Sequence, residues 1–419
     1  MEKKISSKIT RRAVIKLGLG AGALALGGPS ILSYGQGDPP IKIGFIDPST
    51  GTYAFQGDSE IRGAKMAVTE INAKHGMLGR QVQLIVEDSA ADTGIAAQKA
   101  HKLIDQDKVT FLAGSVSSAV SLVLSQVAHQ EGMLFMCTGG HTDPVTGNQC
   151  HWNTFRICTT TYMLAGGLAG ALFQKFGGKW YFLTPDYAFG HTLQAGYEAY
   201  LKKLGGTVLG TSLSPLGTTD FSSYLIKAES THPNVLINLT DGQDRINSMK
   251  QAAQFGLFKK FAIGGGLSEL EVIRATPPEA RQGWTCLEWW WDQPNTPHVK
   301  EWVAAYQKVY TDGSYPSART WFGYAGIHAL AMGVARAKSL QGAKVARALE
   351  GLELPPEIKL QPNKVYFRPG DHQLMSNEFP GEQLPNGTYP NLFKVSQIVD
   401  GESVALPVSQ SGCKLDYPA

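Results

Sequence analysis

From Ile41 onward, the sequence alternates short apolar runs with longer stretches of helical periodicity. In each longer stretch, small and apolar residues recur at the spacing of one helix face. The predicted strands are 41–46, 81–87, 109–113 and 133–136, and the predicted helices are 62–74, 93–106 and 118–130. Parallel strands need a crossover connection, which a helix of this length supplies. The pattern therefore predicts a parallel sheet covered by helices on both faces.

A second series of the same kind begins after residue 157. Its predicted helices are 162–176, 190–204, 221–229 and 243–255, and its predicted strands are 180–184, 207–214, 235–239 and 261–263. Further helices are predicted at 297–310, 320–338 and 343–349, whereas the proline-rich segment from residue 354 is typical of loops with short strands near 365–367 and 392–399. The fold class is therefore α/β, with two doubly wound parallel-sheet lobes.

The N-terminal segment 1–35 has the composition of an export signal. Arg11 and Arg12 precede an apolar run over residues 17–28, which is shorter than the ~20 residues that span a bilayer. Paired arginines in this position are typical of a twin-arginine signal peptide, with cleavage expected after Gly35; an amphipathic N-terminal helix is the alternative. Because no cysteine follows that site, we expect a soluble periplasmic protein without a lipid anchor.

Removing the signal changes the charge of the chain. The full sequence has 38 Lys and Arg against 35 Asp and Glu, a net charge of +3. Residues 1–35 hold six of the basic residues and one acid, which leaves 32 basic and 34 acidic residues, net −2. Charged residues make up 17% of the chain and form no block of five like charges, which argues against a nucleic-acid partner.

Loops rich in Gly, Ser and Thr follow several predicted strands. In open α/β sheets, ligands bind beyond the carboxyl ends of the strands, and hydroxyls with free N–H groups at a helix start bind anions such as carboxylates. Each loop by itself is more typical of an ordinary helix cap than of a ligand site. The loops in question are 49–57, 114–118, 138–142, 186–190, 241–243 and 264–266.

Several motifs of these loops, in this order and spacing, resemble those of a known family. They include Gly51 to Gly57, Gly114 to Ser118, the run Asp186-Tyr187-Ala188-Phe189-Gly190, and Asp220-Phe221-Ser222. From Ile41 to about Ser339 the chain is similar to type I periplasmic solute-binding proteins of ABC transporters, in the branched-chain amino acid and amide binding group. Proteins of this group resemble the Leu/Ile/Val-binding protein.

The resemblance implies a clamshell of two lobes joined by a three-strand hinge. The crossings are expected near 157–160, 287–291 and 352–357. Lobe 1 is then 38–158 plus 290–354, lobe 2 is 159–289 plus 355–400, and 401–419 is a C-terminal tail. Such a protein closes on a small solute and delivers it, as a monomer, to ABC transporter permease subunits in the inner membrane. The alternative is a sensor that reports the solute to a receptor or regulator.

The resemblance also implies a set of ligand-binding residues. Ser118 corresponds to a serine that holds the ligand carboxylate, and the loop after the fourth strand supplies further donors. The opening loop and the second lobe contribute aromatic and polar contacts. The expected set is Tyr53, Phe55, Gln56, Ser118, Gly139, Gly140, His141, Thr142, Phe189, Asp241 and Trp289.

One departure from the family bears on the ligand. The acid that pairs with an amino-acid ammonium is expected after residue 263, where this chain has Gly264-Gly265-Gly266 and no acid before Glu269. A buried ammonium without a carboxylate partner costs several kcal/mol or more. The ligand is therefore an amino acid only if Asp241 takes that role, and otherwise an amide, a urea or an organic acid.

The tryptophan run leaves two alternatives open. If 288–291 is a strand, Trp289 and Trp291 share one face. On the cleft side they favour a flat or aromatic solute; core packing is the other possibility.

The cysteines and the missing enzyme motifs complete the sequence evidence. The resemblance implies a disulfide between Cys150 and Cys413, which leaves Cys137, Cys158 and Cys286. No CxxC or histidine pair has metal-ligand spacing, so we expect no metal and no cofactor. Nucleophile elbows, phosphate-binding loops and zinc-protease motifs are also missing from the sequence, so we expect a protein that is not an enzyme.

Overall fold

The computed structural model describes residues 38–293 and 295–418; the predicted signal peptide lies outside them. The first half of the chain alternates strands and helices. Its elements are β1 (Ile41–Asp47), α1 (Ala54–Ala73), β2 (Val82–Asp88), α2 (Thr93–Asp105), β3 (Phe111–Gly114), α3 (Ser118–Gln130), β4 (Phe135–Cys137), β5 (Thr154–Arg156), α4 (Thr161–Phe176), β6 (Lys179–Pro185) and α5 (Ala188–Lys203).

The second half continues this alternation and ends in short elements. Its elements are β7 (Thr207–Ser214), α6 (Ser222–Ser230), β8 (Val235–Asn238), α7 (Gly242–Gln254), β9 (Ala262–Gly264), α8 (Leu270–Ala275), β10 (Trp284–Leu287), α9 (Val299–Val309), α10 (Ala318–Ala337), α11 (Gly342–Leu349), α12 (Pro356–Lys359), β11 (Tyr366–Phe367), β12 (Leu374–Met375), β13 (Phe379–Gln383), β14 (Phe393–Val395), α13 (Gly401–Val404) and α14 (Val408–Ser411).

The first sheet has the strand order β2-β1-β3-β4-β5, and every pairing is parallel. Ile41 and Ile43 belong to a core shared with α1, α9, α10 and α11, whereas Ile46 packs with α2 and α3 on the other face. The alternation of side chains along a strand accounts for these two cores. We call this sheet and its helices the first lobe.

The second sheet has the order β14-β13-β10-β9-β8-β6-β7. The strands from β6 to β10 pair in parallel, while β13 pairs antiparallel with β10 and β14. The nine residues 384–392 connect β13 to β14, a connection shorter than the crossover that a parallel pair requires. We call this sheet with α4 to α8 the second lobe; it has its own two cores.

Helices α1 and α10 approach each other closely. A Cβ on Gly63 would lie 1.9 Å from the carbonyl oxygen of Thr320, and one on Gly323 would lie 2.0 Å from that of Glu60. Glycine is therefore required at both crossings. The contact brings Glu60 and Arg319, which are far apart in sequence, to one end of the helix pair. None of the described helices is long and apolar enough to cross a membrane.

Candidate ligand-binding cleft

The loops at the carboxyl ends of the two sheets meet each other directly. The hydroxyls of Tyr53 and Tyr187 are 2.5 Å apart. The amide N–H of Gln243 donates to the carbonyl of Thr52 at 3.0 Å. On the other side of the interface, the Thr142 hydroxyl donates to the carbonyl of Ala188 at 3.2 Å. These contacts join the two lobes at the ligand position expected for open α/β sheets, so the cleft is closed in this structure.

Arg319 lies at the centre of the closed cleft and is 1% exposed. Its Nη1 donates to Glu60 Oε1 at 3.1 Å and to the carbonyl of Gly139 at 3.2 Å, both in the first lobe. Its Nε donates to Glu269 Oε1 of the second lobe at 2.5 Å. Its Nη2 is 3.7 Å from Asp241 Oδ2, beyond hydrogen-bond range. One guanidinium therefore links carboxylates from both lobes.

The buried carboxylates around Arg319 hold their protons more tightly than usual. Burial, and then the neighbouring Glu60, raises the pKa of Asp47 well above its ordinary value. Burial also raises the pKa of Glu60, although Arg319 opposes it. Burial and the charge of Glu269 raise the pKa of Asp241 to about 8. Burial raises all three pKa values, and a neighbouring carboxylate adds to the rise for Asp47 and Asp241. These acids therefore stay protonated to higher pH than exposed carboxyls do.

The cleft loop 139–142 is held from behind by Arg156. The Nη1 of Arg156 donates to the carbonyls of Gly140, His141 and Thr142 at 3.2, 3.1 and 2.6 Å. At the front of the loop, the N–H of Thr142 donates to Ser118 Oγ at 3.2 Å. The Ser118 proton is then free to donate elsewhere. The loop is therefore held from both sides by side chains of the first lobe.

His141 connects the cleft to the crossing segments. Its Nε2 is 2.6 Å from Glu288 Oε2, and Glu288 Oε1 accepts from the N–H of Thr159 at 2.5 Å and from its hydroxyl at 2.8 Å. Burial raises the pKa of Glu288, but the charge of His141 and these donors outweigh it and lower the pKa overall. The His141 ring also packs edge-on against Phe189 of the second lobe, with 6.1 Å between centroids.

Most of the residues expected from sequence lie at the closed interface. Gln56 Nε2 donates to Asp241 Oδ1 across it at 3.2 Å. The residues brought together there are Tyr53, Gln56, Ser118, Gly139, Gly140, His141, Thr142, Phe189 and Asp241.

The structure does not bring Trp289 to that interface, and it leaves Phe55 at its edge. Phe55 is 47% exposed and lines a surface groove of about 380 Å³ between the lobes, with Arg62 of α1 and Leu270 of α8. Trp289 is 1% exposed; its ring packs 5.1 Å from Trp302 and its Nε1 donates to the carbonyl of Leu360. Because β10 ends at Leu287, strand alternation does not govern Trp289 and Trp291, and Trp289 is a core residue.

Sequence reasoning missed the charged centre of the cleft. Asp47 is the last residue of β1 and Glu60 lies within α1. Arg319 follows Glu60 by 259 residues. No local motif marks these residues. Glu269 is the first acid after residue 263, where an acid was expected to pair with a ligand ammonium. In the structure Glu269 lies in the cleft, and its carboxylate accepts from Arg319.

The disulfide expected from the resemblance is present. Cys150 and Cys413 are bonded, with 5.4 Å between their Cα atoms. Cys137, Cys158 and Cys286 are buried free thiols. Across residues 38–293 and 295–418, no group of His, Cys, Asp and Glu has the arrangement of a metal site.

Comparison with known proteins assigns the family. A family model described as periplasmic binding protein matches residues 40–382, so the chain belongs to the periplasmic binding protein family. The chain is 27% identical over 330 residues to the Leu/Ile/Val-binding protein homolog 7 of Brucella melitensis, an alignment covering 75% of this chain and 82% of that one.

Solved structures support the same assignment. A periplasmic binding protein from Burkholderia mallei superimposes with a TM-score of 0.83 at 27% identity, covering 90% of this chain and 99% of that one. An amino acid ABC transporter substrate-binding protein from Pseudomonas fluorescens Pf-5 gives a TM-score of 0.79 at 26% identity, with 90% and 99% covered. The fold and the relatives are those of ABC-type substrate-binding proteins, which bind small ligands and are not enzymes.

Proposed function

We propose that this protein is exported by its twin-arginine signal to the periplasm, captures a small solute between its two lobes and delivers it to an ABC-type uptake permease. The observation that carries the proposal is the direct meeting of the two lobes at the carboxyl ends of their strands, through Tyr53 with Tyr187 and Gln56 with Asp241. A ligand that contacts both lobes supplies differential free energy for the closed state.

We further propose a hinge at three crossings and the lobe boundaries stated above, except for residues 355–375. Those residues were expected in lobe 2, but Val365, Phe367 and Leu374 belong to the core of the first sheet, whereas β13 pairs in the second sheet. We therefore place the third crossing between β12 and β13.

The contacts of Glu288 support this division. Its carboxylate accepts from the N–H of Thr159 at the first crossing. Its carbonyl accepts from Gln361 Nε2 at 2.8 Å, and Gln361 Oε1 accepts from the N–H of Asn377, at the third crossing, at 2.9 Å. A single buried residue of the second crossing thus contacts the first crossing directly and the third through Gln361.

The proposed solute classes are an amino acid, an amide or urea, and an aromatic or organic acid. The proposed ligand contacts are the nine expected residues that lie at the closed interface, together with Arg319 and Glu269. Phe189 and Tyr187 offer aromatic surface, and the free proton of Ser118 offers a donor.

A thermal-shift screen of the mature protein, residues 36–419, tests the proposal. A ligand at a hundredfold excess over its dissociation constant stabilises the bound state by about 2.7 kcal/mol, which a melting curve resolves. Hits are then measured by calorimetry on Ser118→Ala, where we expect about tenfold weaker binding. Phe55→Ala is the control and should bind normally. Equal affinity of Ser118→Ala and the parent protein would contradict the placement of the site.

A further inference from the structure

Residues 399–417, which we call the C-terminal strap, run from the second lobe to the first. At the start of the strap, Val399 exchanges backbone hydrogen bonds of 2.8 and 2.9 Å with Glu378, the residue before β13. The carbonyl of Val404 in α13 then accepts from the hydroxyl of Tyr200 in α5 at 3.2 Å. Helix α13 also packs against α4. The start of the strap is therefore attached to the second lobe by packing and hydrogen bonds.

The far end of the strap is anchored on the first lobe. Cys413 is bonded to Cys150, which lies just before β5 of the first sheet. Beyond the disulfide, the hydroxyl of Tyr417 donates to Glu350 Oε1 at the end of α11, at 2.7 Å. The Tyr417 ring packs 5.7 Å from the ring of Trp152, which belongs to the core of the first sheet. The strap is therefore joined to the first lobe by a covalent bond as well as by packing.

The strap changes lobes over a short stretch of chain. Eight residues, 405–412, separate its two anchors. Within them, the carbonyl of Leu406 accepts from Arg368 Nη1 at 2.8 Å. Arg368 lies between β11 and β12, whose hairpin packs in the core of the first sheet. The strap therefore passes from one lobe to the other between Val404 and Leu406, which span at most about 7 Å when extended.

The strap lies outside the buried centre of the three crossings. Glu288, which contacts the crossings, is 1% exposed, whereas Cys150 and Cys413 are half-buried at the protein surface. In a hinge motion the lobes rotate as rigid bodies about a few residues. A rotation centred on the buried crossings therefore displaces the two surface anchors of the strap relative to each other.

Building on the proposed function, in which the lobes open and close, we propose that the C-terminal strap limits how far the lobes open. The bond between Cys150 and Cys413 sets this limit. The strap does not oppose closure, because its contacts with both lobes are made in the closed form. Wider opening extends the chain between Val404 and Leu406 and then breaks the hydrogen bond from Arg368, but the covalent anchor remains. The disulfide thus keeps the strap beside its sites on the first lobe, so the open form stays close to the closed one.

X-ray scattering of an opened variant of the mature protein, residues 36–419, tests this limit. Arg319→Met removes hydrogen bonds that join the two lobes and so favours the open form. Adding Cys150→Ala, Cys413→Ala and Tyr417→Ala releases the far end of the strap. We expect the released form to have a larger radius of gyration than Arg319→Met alone. In the parent, the same three substitutions should leave the radius of gyration of the closed form unchanged.

Tyr417→Ala in the Arg319→Met background is the matched control, because it keeps the covalent anchor; its radius of gyration should equal that of Arg319→Met alone. An equal radius with and without the disulfide would overturn the limit and leave the opening of the lobes intact. If Arg319→Met is no wider than the parent in any of these forms, the proposed opening and its limit both fail. If Arg319→Met fails to fold, Gly242→Ala takes its place, because a Cβ there would lie 2.4 Å from the carbonyl oxygen of Thr52 in the opposite lobe.

Discussion

Two buried arginines hold the same cleft loop in opposite ways. Arg156 donates to the carbonyls of residues 140 to 142 and to Gln373 Oε1, all of them neutral acceptors. Arg319 donates to the carbonyl of Gly139, but its other hydrogen bonds go to the carboxylates of Glu60 and Glu269. The hydrogen bonds of Arg156 lie within the first lobe, whereas those of Arg319 connect the first lobe to the second.

The difference separates an arginine with a purely structural role from one whose contacts depend on whether the two lobes are closed. The neutral acceptors of Arg156 are part of the packed first lobe and its neighbouring crossing segment, so its contacts persist whether the cleft is open or closed. The pair between Arg319 and Glu269 exists only when the lobes meet, because its members belong to different lobes. We therefore expect lobe opening to hydrate the acids around Arg319 but not the carbonyls that Arg156 holds.

Replacement of Arg156 by Met should have the largest effect on folding. It leaves three buried carbonyls without their donor, and each lost bond to a charged donor costs about 1.5 to 3 kcal/mol. We expect the free energy of unfolding, measured in urea titrations, to fall by at least about 4.5 kcal/mol. Arg336→Met, at an exposed arginine of α10, should change it by less than about 0.5 kcal/mol. Equal stability of the two variants would contradict a structural role for Arg156.

Loss of the disulfide should have the next largest effect. Cys150 follows the segment 143–146 that Arg156 also holds through Thr146, and the bridge ties residue 413 to it across 263 residues. Removing a disulfide costs about 3 kcal/mol in typical cases. Cys150→Ala with Cys413→Ala should lower the free energy of unfolding by this amount without altering the closed shape measured by X-ray scattering. A variant that is as stable as the parent would show that Arg156 holds this segment without the tail.

Replacement of Arg319 by Met should affect shape more than folding. Removing one partner of a buried ion pair typically costs 3 to 5 kcal/mol, but opening lets water reach Glu60 and Glu269. We therefore expect a fall in unfolding free energy of roughly 2 kcal/mol and a larger radius of gyration in X-ray scattering. A variant that stays closed and loses as much stability as Arg156→Met would remove the distinction between the two arginines.

The last predicted effect is the pH dependence of the closed state through Asp241. Its pKa is about 8 in the closed cleft against an ordinary 3.8, so the closed form binds the proton more tightly than the open or unfolded forms. The stability of the closed form should therefore fall as pH rises from about 4 and level off above about 8. Asp241→Asn should remove this part of the slope, because the amide does not titrate. An unchanged slope in melting curves from pH 5 to 9 would contradict the prediction.

The local pattern predicts the helices and strands well where each element is set by its own residues. Helix α3 is predicted over 118–130 and found at Ser118–Gln130, and α2 ends one residue before its prediction. Helix α1 is predicted from residue 62 but begins at Ala54. The extra turns include Gly57, and glycine is a weak helix former. Only glycine is accommodated there, because a Cβ would lie 1.8 Å from the carbonyl oxygen of Pro48.

The sequence by itself determined the two α/β series, the family, and most of the loops that meet in the cleft, because each depends on periodicity or on a short motif. Only the tertiary structure decided the charge of the cleft. Arg319 meets Glu60 because two glycines let α1 and α10 approach closely, and it meets Glu269 because the lobes close. The tertiary structure likewise decided that Trp289 is core. Contacts of this kind depend on packing between distant segments, which no local pattern encodes.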